Sequence, residues 1–179
     1  MIPIALAPFE PADFSRLITW VPSAEFMMQW SGPFFTHPLD EAQLDCYYQS
    51  GQSEPPIRKI YKAVDISTAE VVGHIELNNI DRRNLAATVS KVLVAPHRQG
   101  QGIGTAMTAQ LLKIAFEQLR LHRVSLYVFD FNLPAVHCYQ KLGFTQEGHL
   151  RDFRKVGDTY WSSYVMAILE DEWRSRQNA

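Results

Sequence analysis

The chain has 179 residues, of which 46% are hydrophobic and 20% charged, enough for one domain with a sizeable core. A formal net charge of −2 argues against a general nucleic-acid binder, and two distant cysteines, Cys46 and Cys138, argue against a disulfide framework or a zinc site. The first residues lack a basic segment followed by a long apolar core, so no signal peptide is expected, and no apolar run is long enough to span a membrane. The expectation is a soluble cytoplasmic protein that holds no metal.

Ile2, Ile4 and Leu6 alternate as in a first strand, and Pro8 to Pro11 break it. Ala12 to Trp20 reads as a helix with Phe14, Leu17 and Ile18 on one face. Ser23 suits the N-cap of a short helix carrying Phe26, Met27 and Trp30. Trp30 to Pro38 is a Gly-, Pro- and aromatic-rich connection, Asp40 to Gln49 a further helix, and Ser50 to Pro56 a loop. Strands follow at Ile57–Asp65, Val71–Ile80 and Ala87–Val94. On the middle one, His74, Glu76 and Asn78 share one face and Ile75 and Leu77 the other; the polar face meets either a wet cleft or solvent. Ala106 to Arg120 places Met107, Leu111, Leu112, Ala115, Phe116 and Leu119 at helical spacing. A strand at Val124–Phe129, a helix at Leu133–Leu142 closed by Gly143, and a hairpin of Thr145–Lys155 with Tyr160–Leu169 complete the chain. The order β-α-α-α-β-β-β-α-β-α-β-β predicts a single α/β sandwich around a mixed sheet.

Between the strand Val92-Leu93-Val94 and the long helix stands Ala95-Pro96-His97-Arg98-Gln99-Gly100-Gln101-Gly102-Ile103-Gly104-Thr105. Strand, glycine loop, helix is an arrangement that binds phosphate, because the first N–H groups of a helix are unpaired and its dipole end is positive. A Walker A loop would end in Gly-Lys-Ser/Thr, and here no lysine precedes Thr105. A dinucleotide fingerprint would place glycine where Thr105 stands. Both nucleotide spacings fail. Arg82, Arg83, Lys91, His97 and Arg98 cluster along this part of the chain, which suits a polyphosphate, although solvated surface charge accounts for Arg82 and Arg83 equally well.

What remains is Gln99-x-x-Gly102-x-Gly104, which resembles the Q/R-x-x-G-x-G/A loop of the GNAT acyltransferase superfamily. A second stretch, Asn132-Leu133-Pro134-Ala135-Val136-His137-Cys138-Tyr139-Gln140-Lys141-Leu142-Gly143-Phe144, resembles that family's N-x-x-A-x-x-x-Y-x-K-x-G-F motif. Gly143-Phe144, Glu147-Gly148 and Arg151 look like the continuation in the branch that acetylates protein N-termini, ribosomal proteins and small amines. Two motifs in the right order are far more specific than either alone. The resemblance covers about Ile57 to Leu169, and implies residues 57–169 as an acetyl-CoA-binding core and residues 1–56 as a variable acceptor-side part of one domain.

The resemblance implies a mostly antiparallel mixed sheet flanked by helices, and an N-acetyltransferase that moves the acetyl group of acetyl-CoA directly onto a primary amine of a peptide or small molecule. It implies Gln99, Gly100, Gln101, Gly102, Ile103, Gly104 and Thr105 at the pyrophosphate, and the backbone of Val92, Leu93 and Val94 against the pantetheine arm. An N–H near Val94 would polarise the thioester carbonyl. Asn132 and Ala135 fall at the pantetheine, Ala135 leaving room on the helix face it shares with Tyr139, and Tyr139 is the candidate acid for the departing thiolate. The base is less defined. Thr88 and Tyr127 stand where branches of the family carry a glutamate, so Glu76 is the candidate, ahead of His137 and His149. Trp20, Trp30, Phe34, Phe35 and Trp161 suit either an acceptor site or the core. A non-catalytic acyl-CoA-binding regulator remains the alternative, since an absent base would fit it. The edge of the closing hairpin permits a homodimer.

Overall fold

The computed structural model describes residues 2–177. Met1 and residues 178–179, the ends of the expected 1–179 domain, lie outside the described residues. In chain order the elements are β1 (Ile4–Pro8), α1 (Phe14–Thr19), α2 (Ala24–Ser31), α3 (Glu41–Gln49), β2 (Lys59–Asp65), β3 (Glu70–Asp81), β4 (Ala86–Val94), α4 (Ile103–Lys113), β5 (Arg123–Phe129), α5 (Leu133–Leu142), β6 (Thr145–Val156), β7 (Thr159–Leu169) and α6 (Glu170–Gln177). The strands form a seven-stranded sheet in the order β1-β2-β3-β4-β5-β7-β6. Among the described residues, only β4 and β5 pair in parallel. This is the expected mixed, mostly antiparallel sheet with helices on both faces.

Local chemistry sets the helix ends. The Ser23 hydroxyl accepts the Phe26 N–H, and the Asp40 carboxylate accepts that of Gln43, each relieving an orphan donor of a first turn. Gly143, at φ 101°, closes α5 in a conformation costly for any residue with a Cβ. Two departures from the sequence reading stand out. Helix α4 starts at Ile103, three residues before the apolar periodicity begins, because Gly102 at φ 78° turns the chain straight into it. Helix α6 was not expected at all: Trp173 is its single apolar residue, so no periodicity marks it, yet that side chain is buried against Phe116 at 5.3 Å between ring centroids.

Two apolar clusters occupy the two faces. One joins α4, α5 and α6 to the sheet through Ile75, Leu77, Met107, Leu111, Phe116 and Met166. The other lies under α1–α3 and includes Phe9, Leu17, Trp30, Leu44 and Tyr47. Strand β4 feeds both. Ala87 and Val89 belong to the first cluster, Leu93 and Ala95 to the second. A regular strand keeps odd positions on one face, so a residue has been inserted between them. The register locates it: His74 faces Leu93 and Glu76 faces Ser90, leaving Lys91 and Val92 opposite Ile75 alone. Lys91 takes φ 49° to make this bulge.

The bulge also ends the parallel pairing. Strand β5 follows β4 from Ala86/Arg123 to Val89/Leu126 and no further. It stays paired with β7 through Phe129/Ser163, so β4 is the strand that turns away. A gap opens between Ser90–Val94 and Tyr127–Phe129.

Gly73 lets the sheet pass close beneath α4. A Cβ there would stand 2.8 Å from Met107 Sδ and 3.0 Å from the Leu93 carbonyl oxygen. The thioether can move and the backbone oxygen cannot. Gly73→Ala is expected to cost ~1–3 kcal/mol and lower the melting temperature by several degrees, measured by thermal unfolding. A melting temperature at or above that of the parent would contradict this packing.

Candidate active site

The gap has a polar backbone lining. The Ala95 N–H donates to the Val72 carbonyl, toward β3. Alternation then turns the N–H and C=O of Val94 and Val92 the other way, into the gap, while Leu93 turns its backbone to β3 and its side chain under α1–α3. Of the three strand residues expected to line the cofactor, two present backbone groups to the gap.

The glycine loop lies at the open end of this strand. Gly100 and Gly102 adopt φ 75° and 78°, and a Cβ at either would meet no atom within 4 Å. No side chain caps Gly102, and from Gly100 to Thr105 no N–H donates to another described residue. Up to six backbone donors and the positive end of an eleven-residue helix thus face open space. This cradle fits a pyrophosphate. Thr105 Oγ1 lies 3.2 Å from Cys138 Sγ, which ties the cradle to α5.

Helix α5 brings its motif residues alongside. The Asn132 side chain caps the helix, its carbonyl oxygen accepting the Ala135 N–H at 3.4 Å, and among the described residues its amide protons meet no acceptor. One turn after Ala135, the Tyr139 ring is buried edge-on to Phe144, and among the described residues its hydroxyl makes no side-chain hydrogen bond. Burial pushes the phenol well above its ordinary range, so it holds its proton throughout any working pH.

The expected basic cluster is not a phosphate clamp. Arg98 binds Asp65 at 2.7 Å and also Glu70, and its Nε donates to Gln101 Oε1 at 3.1 Å. His97 pairs with Glu70 at 2.6 Å. These contacts fasten the loop to the β2–β3 turn. The Arg98–Asp65 contact comes first among those that hold the guanidinium above, and the carboxyl below, their usual ranges. Arg82 donates to the Pro56 carbonyl, and Lys91 points to the opposite face.

That opposite face is neither a wet cleft nor open to solvent. Glu76 is 0% exposed and His74 1%, both under α1–α3. Glu76 Oε2 accepts from Lys91 Nζ at 2.7 Å and from Ser90 Oγ at 2.9 Å, and Oε1 lies 3.3 Å from Arg58. Lys91 Nζ stands 4.0 Å above the Phe34 ring and 5.1 Å from that of Tyr47. Ser90 is half-buried and sits where β4 leaves β5, so its hydroxyl connects Glu76 to the gap. Tyr47 Oη lies 3.2 Å from His74 Nε2. Burial, with the Lys91 charge adding, pushes the His74 imidazole down to about 3, so it is neutral. Trp20, Trp30 and Phe35 are core residues here; Phe34 remains exposed, and Trp161 packs on Phe129 and Phe131. His137 is exposed, and His149 pairs with Asp130 at 2.9 Å.

Arg58, Ser90 and Tyr47 are absent from the sequence reading, and Lys91, grouped there with the cations suited to a polyphosphate, pairs with Glu76 instead. One signal was available. The apolar phase of β4 shifts from Ala87 and Val89 to Val92 and Val94 across Ser90-Lys91, which is the trace of a bulge.

Strands that part beside a glycine loop, with a tyrosine-bearing helix along the gap, define the acetyltransferase class. The Acetyltransferase (GNAT) family model matches residues 24–144, more than half of the chain, and the chain belongs to that family. It is similar to the spermidine N(1)-acetyltransferase of Vibrio cholerae, 30% identical over 113 residues, or 63% of this chain and 65% of that protein. It is also similar to the spermidine N(1)-acetyltransferase of Escherichia coli K12, 25% identical over 95% of this chain and 88% of that one. The solved structure of the Vibrio cholerae enzyme in complex with CoA and spermine superposes with a TM-score of 0.83 at 24% identity, covering 96% and 98% of the two chains. The protein is an acetyl-CoA-dependent N-acetyltransferase that acts on an amine; a non-catalytic acyl-CoA-binding module is not favoured.

His74 gives this buried region a pH signature. The unfolded imidazole takes a proton near its ordinary value of 6.5 and the folded one only at about 3, so falling pH favours the unfolded chain. The group's full contribution is present above pH 6.5 and declines below it, by up to about 1.4 kcal/mol per pH unit. Urea unfolding at pH 7, 6 and 5 should show a slope that His74→Gln flattens; an unchanged slope would remove His74 as its source.

Proposed function

We propose that the acceptor is the primary amine of a small molecule, and that it attacks the acetyl thioester directly in the gap between β4 and β5. One observation carries the reading: the unpaired donors of Gly100–Thr105 and the gap-facing backbone of Val92 and Val94 lie at the same end of the sheet. In this reading Gln99 to Thr105 hold the pyrophosphate. Val92 and Val94 pair with the pantetheine amides as an added strand would, with the amide protons of Asn132 and the small side chain of Ala135 alongside. The Val94 N–H lies at the thioester carbonyl and stabilises its developing charge.

The remaining chemistry is two proton transfers. The attacking amine must lose a proton, and the proposed route runs through Ser90. Its oxygen takes the amine proton as its own passes to Glu76 Oε2, along the 2.9 Å hydrogen bond between them. Lys91 and Arg58 hold the Glu76 carboxylate in place for this, at 2.7 Å and 3.3 Å. When the tetrahedral intermediate collapses, the carbon–sulfur bond breaks and the sulfur takes the Tyr139 hydroxyl proton. The buried phenol is suited to that step, because it reaches the end of the reaction still protonated.

Steady-state thiol release with an acetylatable amine tests the assignment. Tyr139→Phe is expected to lower kcat by about a hundredfold or more while the Kd for acetyl-CoA stays within about twofold of the parent. An unchanged kcat would end the acid role of Tyr139.

A further inference from the structure

Two cations stand at the buried end of the acceptor side. Arg58, just before β2, and Lys91, on the bulge, face the single carboxylate of Glu76, leaving one positive charge in excess. The segment from Gly32 to Leu39, which passes over them, contains no acidic residue. Phe34 covers both cations, 4.0 Å from Lys91 Nζ and 5.2 Å from the Arg58 guanidinium carbon, while 47% of Phe34 itself is exposed.

The same face concentrates unmet hydrogen bonding. Among the described residues, the buried side-chain polar atoms without a hydrogen bond are Trp30 Nε1, Arg58 Nε, His74 Nδ1 and Asn78 Oδ1, while Arg58 Nη1 and Glu76 Oε1 meet each other only as an ion pair at 3.3 Å. All lie on this face of β3 or against it. A group that has lost water and gained no partner costs about 1–3 kcal/mol, more if charged, so such atoms in one place mark where a polar ligand or water belongs. Arg58 is the charged donor among them; its Nε and Nη1 are buried, and 12% of the side chain as a whole is open. It meets Oε1 of the Glu76 carboxylate and Ser90 meets Oε2, so the two groups flank one carboxylate.

We propose that the acceptor is an amine that also carries a carboxylate, an amino acid or similar small amino-carboxylic acid, with the carboxylate bound by Arg58 and the amine delivered to Ser90. This rests on the reading of the gap as the site of acetyl transfer. A planar guanidinium fits a carboxylate with two parallel donors. A polyamine, by contrast, keeps further positive charges after its reacting nitrogen is neutral. Those charges would lie beside Arg58 and Lys91, whose nearest carboxylate, Glu76, already pairs with both. The relatives named for spermidine thus share the fold and the transfer reaction with this chain, and the acceptor is where this chain departs from them.

The test is thiol release by the full chain with acetyl-CoA, using alanine, phenylalanine, lysine and β-alanine, the corresponding amides, and spermidine. At least one free amino acid should exceed both its amide and spermidine in kcat/KM by about tenfold or more, because a site built to bind a group rejects the analogue that lacks it. Arg58→Gln should abolish that preference by raising KM for the acid, with the KM for acetyl-CoA unchanged, and Arg58→Lys should restore part of it. Equal or better turnover of spermidine or of the amides would overturn the proposal, as would a preference that survives Arg58→Gln. If that variant fails to fold, the parent's ranking of acid, amide and spermidine decides alone. No thiol release with any amine, while acetyl-CoA still raises the melting temperature, would overturn the transfer reading and the acceptor assignment with it.

Discussion

The structure depends on one inserted residue in β4. Two residues, Lys91 and Val92, stand where β3 offers one, and the strand beyond them exchanges its faces and leaves its parallel neighbour. Lys91 pays for the bulge with a positive φ, a cost of order 1–3 kcal/mol for a residue with a Cβ. What holds it there is its own side chain. The ammonium is buried, bonded to Glu76 at 2.7 Å and enclosed by the rings of Phe34 and Tyr47. Removing one member of such a buried pair leaves the other uncompensated, a penalty of about 3–5 kcal/mol. The cluster that opens the gap is therefore the same cluster that lies beneath the acceptor, so the shape of the site and its charge have a single source.

The other side of the site is built almost wholly from backbone. The gap-facing groups of Val92 and Val94 and the donors from Gly100 to Thr105 require only an extended strand, two residues at positive φ and a helix start without a side-chain cap. Side chains do the fastening instead. Arg98 and His97, which the composition of the loop offers as phosphate ligands, are tied to Asp65 and Glu70 and hold the loop to the β2–β3 turn. In the proposed reading the work is divided: main chain toward the cofactor, charged side chains toward the acceptor.

That division explains what could be read from the sequence. Glycines at fixed spacing, an Asn at a helix start and a helix closed by Gly143 leave local traces, and the strands and helices around them were legible for the same reason. The acceptor side was not. His74, Glu76 and Asn78 advertise a polar face, but whether that face is wet or buried depends on α1–α3, some thirty residues earlier in the chain, packing over it. Arg58 precedes its strand and carries no motif. Lys91 looks like any surface lysine until a shift in apolar phase is taken as a bulge. Helix α6 was invisible because one tryptophan makes no period, although that tryptophan is anchored on Phe116.

The central claim is that main-chain groups of β4 and of the loop after it hold acetyl-CoA. Amide hydrogen exchange of the full chain, with and without saturating acetyl-CoA, tests this residue by residue. The account predicts slowed exchange at Val92, Val94 and Gly100 to Thr105, with Leu93, already turned toward β3, little affected. Protection confined to other parts of the sheet, or none in this stretch at saturation, would contradict it.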